Sequence, residues 1–225
     1  MTGRSTSNRI DCAALCGLLI LVAAASAGAE PTPAAVSAFN SYIGTVESRL
    51  AGQHGSQSGF LATAGSRQTG DAPLRRGELI VEELTPSSGA DLPGAMLHDW
   101  RGTAFAPGAT AADFERLMKD FNAYPQHFSP QVLEAKTIAQ EGDRFQATMQ
   151  VRQRHILTVV METAYDIRFG RLDAGHGYSL SRSTRIVEIG AAGSKAEREL
   201  NADEEHGFLW RLNTYWSYEE RDGGL

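Results

Sequence analysis

Apolar residues recur every three or four positions just after Pro33, and this spacing predicts one amphipathic helix of about four turns. The stripe consists of Val36, Phe39, Tyr42, Ile43, Val46 and Leu50. A single apolar stripe has to pack against another element, so this helix is not expected to stand alone. From Ala51 to Pro73 the chain changes to Gly, Ser, Gln and Thr with little periodicity, which predicts a linker or loose loop.

The compact part of the chain is predicted to begin near residue 94, after a short β-like run over 78–84. A strand is predicted from Met96 to Phe105. A helix follows, for which Thr110 is a suitable N-cap, since its hydroxyl can bond a free N–H of the first turn. Tyr124-Pro125 is predicted to end this helix, because the residue before proline avoids the helical region.

From Val132 onward the hydrophobic period becomes two, which is typical of antiparallel strands with one face in water. A turn between Arg152 and Ile156 is needed to divide so long a run. Further strands are predicted over 178–189 and 208–219. Helices followed by a meander of strands indicate an α+β fold. The apolar positions of the alternation are Phe145, Ala147, Met149, Val151, Leu157, Val159, Met161, Tyr165, Ile167 and Phe169.

The first 29 residues have the order of a secretory signal peptide. Arg4 and Arg9 precede an apolar run over 13–25, and small residues follow as far as Ala29. The run is shorter than the roughly 20 apolar residues that span a bilayer, which disfavours a membrane anchor. We therefore expect cleavage after Ala29 and a soluble exported protein, periplasmic or secreted, with no transmembrane segment in its mature part.

Composition and charge then exclude several functions. The chain of 225 residues carries 21 Lys+Arg against 27 Asp+Glu, a net charge of −6. No nucleic-acid surface is expected from this balance. Both cysteines, Cys12 and Cys16, lie within the predicted signal, so no cysteine chemistry is expected after it. The histidines lack metal-ligand spacing and no cofactor motif rises above chance, so we predict neither a metal nor a cofactor.

Several short sequence segments between residues 98 and 213 resemble the START-like helix-grip superfamily (SRPBCC), which includes polyketide cyclases and coenzyme Q-binding proteins. The segments are His98-Asp99-Trp100-Arg101-Gly102-Thr103, Phe105-Ala106-Pro107-Gly108-Ala109-Thr110, residues 120–125, Ser181-Arg182-Ser183-Thr184-Arg185-Ile186 and His206-Gly207-Phe208-Leu209-Trp210-Arg211-Leu212-Asn213. The resemblance covers about residues 94–225. It implies an α+β helix-grip fold, in which a curved antiparallel sheet wraps a C-terminal helix and leaves an apolar cavity between them.

With this resemblance, the chain is predicted to consist of a signal peptide (1–29), a helical and linker region (30–93) and a START-like domain (94–225). The domain is expected to be incomplete. The chain stops at the turn sequence Arg221-Asp222-Gly223-Gly224-Leu225, where the superfamily continues with a last strand and the gripping helix. We therefore expect a truncated gene product or fragment, unless the helix at 34–50 substitutes for the missing one.

The predicted strand over 208–219 carries the candidate binding chemistry. Its alternate residues Phe208, Trp210, Leu212, Thr214, Trp216 and Tyr218 share one face. Trp and Tyr line pockets well, since each combines a large apolar body with one polar tip. In a helix-grip domain this face would line the cavity; an ordinary packed core is the alternative. The predicted ligand-binding residues are Trp100, Tyr165, Arg182, Phe208, Trp210, Trp216 and Tyr218.

Arg182 is included because an inward-pointing arginine can hold a carboxylate or phosphate. The alternative is cross-strand pairing with Glu188 or Glu219. The expected function is non-catalytic binding of an apolar or amphipathic small molecule, such as a lipid, quinone or polyketide-like ring. A cyclase- or hydrolase-type enzyme is one alternative, with His98, Tyr165 or Tyr215 as acid–base groups. A non-functional truncated product is another, and association through the exposed sheet face is left open as a partner mode.

Overall fold

The computed structural model describes residues 30–61, 72–85, 91–92, 94–154 and 158–225. The predicted signal peptide lies outside the described residues. So do the middle of the predicted linker and residues 155–157, where part of the predicted turn falls. Within the described ranges, no helix has both the length and the apolar character needed to cross a membrane.

Four helices and two single 3-10 turns are described. The helices are α1 (Pro33–His54), α2 (Ala72–Arg75), α3 (Ala111–Lys119) and α4 (Tyr124–His127), and the 3-10 turns cover Gln57–Gly59 and Phe121–Ala123. α1 begins at Thr32, whose hydroxyl accepts a hydrogen bond from the backbone N–H of Ala35. The predicted apolar stripe of α1 is buried at Val46 and half-buried at its other positions.

Ten strands are described, and six of them form one antiparallel sheet. The strands are β1 (Ile80–Glu83), β2 (Asp91–Leu92), β3 (Ala95–Met96), β4 (Trp100–Thr103), β5 (Val132–Glu141), β6 (Arg144–Arg154), β7 (Thr158–Arg171), β8 (His176–Gly190), β9 (Arg198–Glu199) and β10 (Asn213–Glu219). The order of the large sheet is β10-β8-β7-β6-β5, with β9 paired to β8, while β1–β4 and β2–β3 form two-stranded ribbons. The sheet is strongly curled, which confirms the predicted α+β class with a curved antiparallel sheet.

The two faces of the sheet have different surroundings. The core face carries Phe145, Ala147, Tyr165, Ile167, Phe169, Trp216 and Tyr218, and it packs against α3, the second 3-10 turn and α4. The second face carries Arg144, Arg152, Arg154, Arg168, Tyr178, Arg182, Tyr215 and Ser217. α1 lies against the second face at β8 and β10, through contacts to Arg182, Tyr215 and Ser217.

Several predicted boundaries were wrong. The strand predicted over 96–105 is two short strands, β3 and β4, on either side of three non-strand residues. The helix predicted to reach Tyr124 ends at Lys119, because Asp120 leaves the helical region with φ −88° and ψ 65°. Tyr124-Pro125 instead opens α4, where proline is tolerated because N–H groups of the first turn lack helical partners.

The strand predicted over 208–219 begins at Asn213, so Phe208 and Trp210 precede it. The backbone N–H groups of His206 and Phe208 donate to the carboxylate of Glu188 instead of to a neighbouring strand, at 2.9 and 3.5 Å. Side-chain acceptors thus replace the ladder that the alternating pattern suggested.

The predicted linker over 51–73 was also wrong at its start. α1 continues to His54, and Phe60 is the most deeply buried large side chain of the described residues, at 1% exposure. This stretch is rich in Gly and Ser, but it also contains His54 and Phe60. Their rings contact each other at 5.2 Å between centroids.

The turn predicted at 221–225 is present. Asp222 and Gly223 both have positive φ, 52° and 80°, as a tight hairpin turn requires. After the turn, the backbone of Leu225 exchanges two hydrogen bonds with Ala106, at 2.9 and 3.1 Å. The C-terminal residues therefore lie beside the segment that leads into α3.

The predicted N-cap at Thr110 is confirmed and forms a full capping box with Asp113. Replacing Thr110 by alanine removes the acceptor for a free N–H, so we expect the free energy of unfolding to fall by about 1 kcal/mol. Urea unfolding followed by circular dichroism measures this. The Thr110→Ser variant keeps the hydroxyl and is the matched control; equal loss in both variants would contradict a capping role.

Candidate functional site

The aromatic side chains of β10 that were predicted to bind a ligand meet α3. The ring of Phe114 packs on Trp216 at 5.5 Å and on Tyr218 at 4.8 Å between centroids. Tyr218 is buried, while Trp216 is half-buried. Tyr165 lies buried on the same core face, in the cluster with Phe145 and Phe169. The structure therefore brings Trp216, Tyr218 and Tyr165 onto one face.

A buried carboxylate lies directly beneath these rings. Glu115 of α3 is 4% exposed and accepts a hydrogen bond from the hydroxyl of Tyr218 at 2.7 Å. Arg171 of β7 donates two hydrogen bonds to the same carboxylate, at 2.7 and 2.5 Å. Lys119 lies 3.0 Å from it and also pairs with Asp143. The negative charge is thus balanced by two cations and fully hydrogen-bonded, as a buried charge requires.

The electrostatics of this group follow from those contacts. Burial alone would raise the pKa of Glu115, but the hydrogen bonds from Arg171, Tyr218 and Lys119 outweigh burial and lower the pKa to about 2. The pKa of Tyr218 is raised, first by burial and then by its hydrogen bond to the Glu115 carboxylate. Both groups are therefore held in one protonation state near neutral pH, which suits a structural contact better than proton transfer.

Part of the core face is less well covered. Its half-buried residues are Ala135, Met149, Ser181, Thr214 and Trp216. Apolar side chains dominate this strip, and the hydroxyl groups of Ser181 and Thr214 lie opposite each other on β8 and β10. A half-covered apolar strip with a few polar groups has the composition of a small-molecule site.

The other predicted ligand-binding residues lie elsewhere. Trp100 is 41% exposed on the β1–β4 ribbon. Trp210 packs on Phe39 of α1 at 5.2 Å, and Phe208 stacks on His206 at 5.3 Å. These three rings are therefore separated from the cluster around Trp216.

Arg182 lies on the second face and binds Glu47 of α1 through both nitrogens of its guanidinium fork. Glu47 also accepts a hydrogen bond from the hydroxyl of Tyr215 at 2.9 Å. The acidic partner considered for Arg182 was Glu188 or Glu219 of the sheet, and the structure corrects this to a helix residue. The arginine thus holds α1 against the sheet.

The C-terminal end of α1 is held by rings. His54 is 8% exposed, stacks on Tyr178 at 4.1 Å between centroids, and shares a hydrogen bond with Ser217 at 2.8 Å. Phe60 packs between His54 and His176. An open depression of about 450 Å³ lies beside this cluster, lined by Gly55, Ser56, Gln57, Ser58, Leu172 and Asp173.

This histidine cluster does not form a charge-relay arrangement. Asp173 bonds to His176 at 2.7 Å, whereas the histidine that touches the Ser217 hydroxyl is His54. A serine nucleophile needs the carboxylate on the same histidine that serves as its base. The pKa of His54 is lowered because burial disfavours its charged form. The cluster therefore serves to attach α1.

The structure also shows the surroundings of the residues that were considered as acid–base groups of an enzyme. The Nε2 atom of His98 is buried and has no hydrogen-bond partner within the described ranges, while the neighbouring Asp99 accepts from the Tyr42 hydroxyl at 2.6 Å. Burial raises the pKa of Tyr215, and the Glu47 carboxylate raises it further. Among the described residues, no group of three or more His, Cys, Asp or Glu side chains is arranged to hold a metal ion.

Comparisons of the chain with protein-family models, with curated proteins and with solved structures each found no match.

Three residues that matter here were not singled out from the sequence. Glu115 and Glu47 are charged residues on predicted helices, and such residues are usually solvated. His54 fell within the predicted linker. A weak signal existed for Glu115, since it lies next to Phe114 and four residues before Lys119 on the helix.

The buried carboxylate generates a testable pH dependence. Because the folded pKa of Glu115 is lowered from 4.5 to about 2, its ionised form stabilises the fold above about pH 4.5. Glu115→Gln should lower the free energy of unfolding at pH 7 by on the order of 3 kcal/mol. The gap to wild type should shrink as the pH falls from 4.5 toward 2. Chemical unfolding at a series of pH values measures it.

Asp143→Asn is the control for that experiment, because the Asp143 carboxylate pairs with the same lysine but is 66% exposed. It should change stability little. A Glu115→Gln protein as stable as wild type at pH 7 would contradict the role assigned to this carboxylate.

The buried histidine predicts a second pH effect, in a different range. The folded pKa of His54 lies below that of the unfolded chain, so its contribution is present above about pH 6.5 and lost as the pH falls below it. The denaturation midpoint of wild type should therefore drop between pH 7.5 and 5 more than that of His54→Gln. His127→Gln, which replaces an exposed histidine, should behave as wild type. Parallel curves for wild type and His54→Gln would refute the assignment.

Proposed function

We propose that this chain is a START-like domain that binds an apolar or amphipathic small molecule on the core face, against Trp216. The observation that carries the proposal is the indole of Trp216. It lies on a strongly curled sheet, packs on Phe114, and still remains half-buried. Large aromatic side chains in this position gain further burial when a guest covers them.

The order of the elements supports the START-like assignment. A strand ribbon, two helices and an antiparallel meander follow one another, and the sheet curls over the helices. The resemblance of the sequence segments to the START-like superfamily implies the same features. Since α1 lies on the second face, it does not occupy the position of a gripping helix on the core face.

Burial would supply most of the binding free energy. A guest that removes about 300 Å² of apolar surface from water gains about 7.5 kcal/mol before the cost of immobilisation. Met149 of β6 and Ala135 of β5 are two further half-buried apolar residues of the core face. The hydroxyl groups of Thr214 and Ser181 would then orient a polar end of the guest, such as an ester or quinone oxygen.

A neutral probe tests this proposal. N-phenyl-1-naphthylamine fluoresces when it leaves water, and we expect it to bind the wild-type protein saturably. Trp216→Ala should weaken binding by about tenfold, because the largest apolar surface of the strip is removed. Trp216→Phe should recover most of the affinity.

Trp100→Ala is the matched control, since Trp100 is an exposed tryptophan on a different sheet. It should leave the affinity unchanged. Equal affinities of the wild-type, Trp216→Ala and Trp100→Ala proteins for the probe would overturn the proposed site.

A further inference from the structure

A second depression, of about 480 Å³, opens on the second face at the end of the sheet where β6 and β7 meet. It is lined by Arg152, Arg154, Thr158, Val160, Ile189, Ala191 and Ala192. None of these residues belongs to the core-face strip or to the clusters that hold α1. The depression therefore shares no lining residue with the core-face strip or with the contacts of α1.

The strand register brings two positive charges together here. Arg152 and Arg154 are two residues apart on β6, so both side chains project from the same face. Val160 and Thr158 of β7 lie directly opposite them. Arg152, Arg154 and Thr158 thus lie on one face of the sheet, and all three line the depression.

Among the described residues, no acid is paired with either of the two arginines. In the part of the chain that the structure describes, Arg75, Arg101, Arg116, Arg171, Arg182, Arg185 and Arg198 each form an ion pair. No ion pair within that part involves Arg152 or Arg154. The nearby Glu197 carboxylate accepts from Gln150 and from the backbone N–H of Gly193 instead.

The remaining wall is apolar. Val160 is buried, Ile189 is half-buried, and a turn brings Ala191 and Ala192 to the rim. Ala191 adopts φ 52°, the left-handed region that alanine rarely enters, and its carbonyl accepts from the N–H of Ser194 at 3.1 Å. Ile189, Ala191 and Ala192 therefore give the depression a small apolar part beside the two charges.

From this geometry we propose that the depression binds a small amphiphilic anion, with a carboxylate or phosphate head and a short apolar body. The guanidinium forks of Arg152 and Arg154 hold the head, since planar forks match the oxygens of these groups. The hydroxyl of Thr158 donates a further hydrogen bond. The apolar body lies on Ile189 and the two alanines.

The same two strands provide a matched control. Arg144 of β6 and Arg168 of β7 are also directly opposite each other on the second face, and both are exposed. They also form no ion pair among the described residues, but they do not line the depression. Arg152→Gln/Arg154→Gln and Arg144→Gln/Arg168→Gln therefore remove the same charge from the same face of the sheet.

The test is titration of the full chain with octanoate, inorganic phosphate and octanol at constant ionic strength, followed by calorimetry and by amide shifts in NMR spectra. Octanoate should bind saturably and shift the amides of Ala191 and Ala192. Phosphate should bind more weakly, and octanol should not produce these shifts. Arg152→Gln/Arg154→Gln should lose at least tenfold in octanoate affinity, while the control double variant changes less than twofold.

Equal losses in the two double variants would overturn the site in favour of general charge attraction, and so would the absence of saturable octanoate binding to wild type. Trp216→Ala should bind octanoate at this depression as wild type does. The two proposals can therefore fail independently. The neutral probe tests the core-face site, and the anion tests the depression.

Discussion

The position of α3 on the sheet depends on the buried carboxylate of Glu115, because a charge in the interior must be matched by donors at fixed positions. Glu115 of α3 is matched by Arg171 from β7 and Tyr218 from β10. β8 lies between those two strands, so a single side chain connects the helix to the two strands that flank β8. Flattening the sheet would separate the donors, and the curl is thereby coupled to the position of the helix.

Glycine makes this connection sterically feasible. Gly177 of β8 lies opposite Tyr218, and a Cβ atom at Gly177 would fall 2.4 Å from the tyrosine ring. The ring therefore lies across the bare backbone of β8 on its way to Glu115. Any larger residue at 177 would displace the phenol and leave the carboxylate short of one donor.

The attachment of α1 follows a different principle. Its contacts to the sheet are an ion pair to Arg182, a hydrogen bond to Tyr215 and the stacked ring of His54. The Arg182 side chain is 57% exposed, and ion pairs in contact with water contribute little to stability. The ion pair therefore specifies where α1 lies without adding much stability, and burial of Ala35, Val46 and His54 contributes beside it.

The sequence predicted those elements whose pattern is local. The period of two located β5 to β8, and the N-cap residue Thr110 located the start of α3. It failed at Phe208 and Trp210, which precede the strand. The alternation continues there, but the backbone N–H of Phe208 bonds to Glu188, a residue 20 positions away along the chain. The pairing of Arg182 with Glu47 spans 135 positions, and no local pattern indicates such a partner.

The candidate site also contains residues that the sequence predicted and residues that it did not. Trp216 and Tyr218 could be placed on one face because strand alternation is a local rule. Glu115 could not be recognised beneath them, because its burial depends on how α3 crosses the sheet. Net composition also hid the arginine pair at Arg152 and Arg154, since a chain with charge −6 gives no indication of a local positive concavity.

Alternation also keeps the two proposed sites independent. Met149 belongs to the core face and Arg152 to the second face of the same strand β6, only three residues further along. A guest on one side therefore contacts none of the side chains that a guest on the other side contacts. Binding free energies at such sites add unless the backbone between them changes shape. The one element that both share is the curled sheet itself, so any coupling between the two guests must pass through a change in its curvature, which the Glu115 contacts resist.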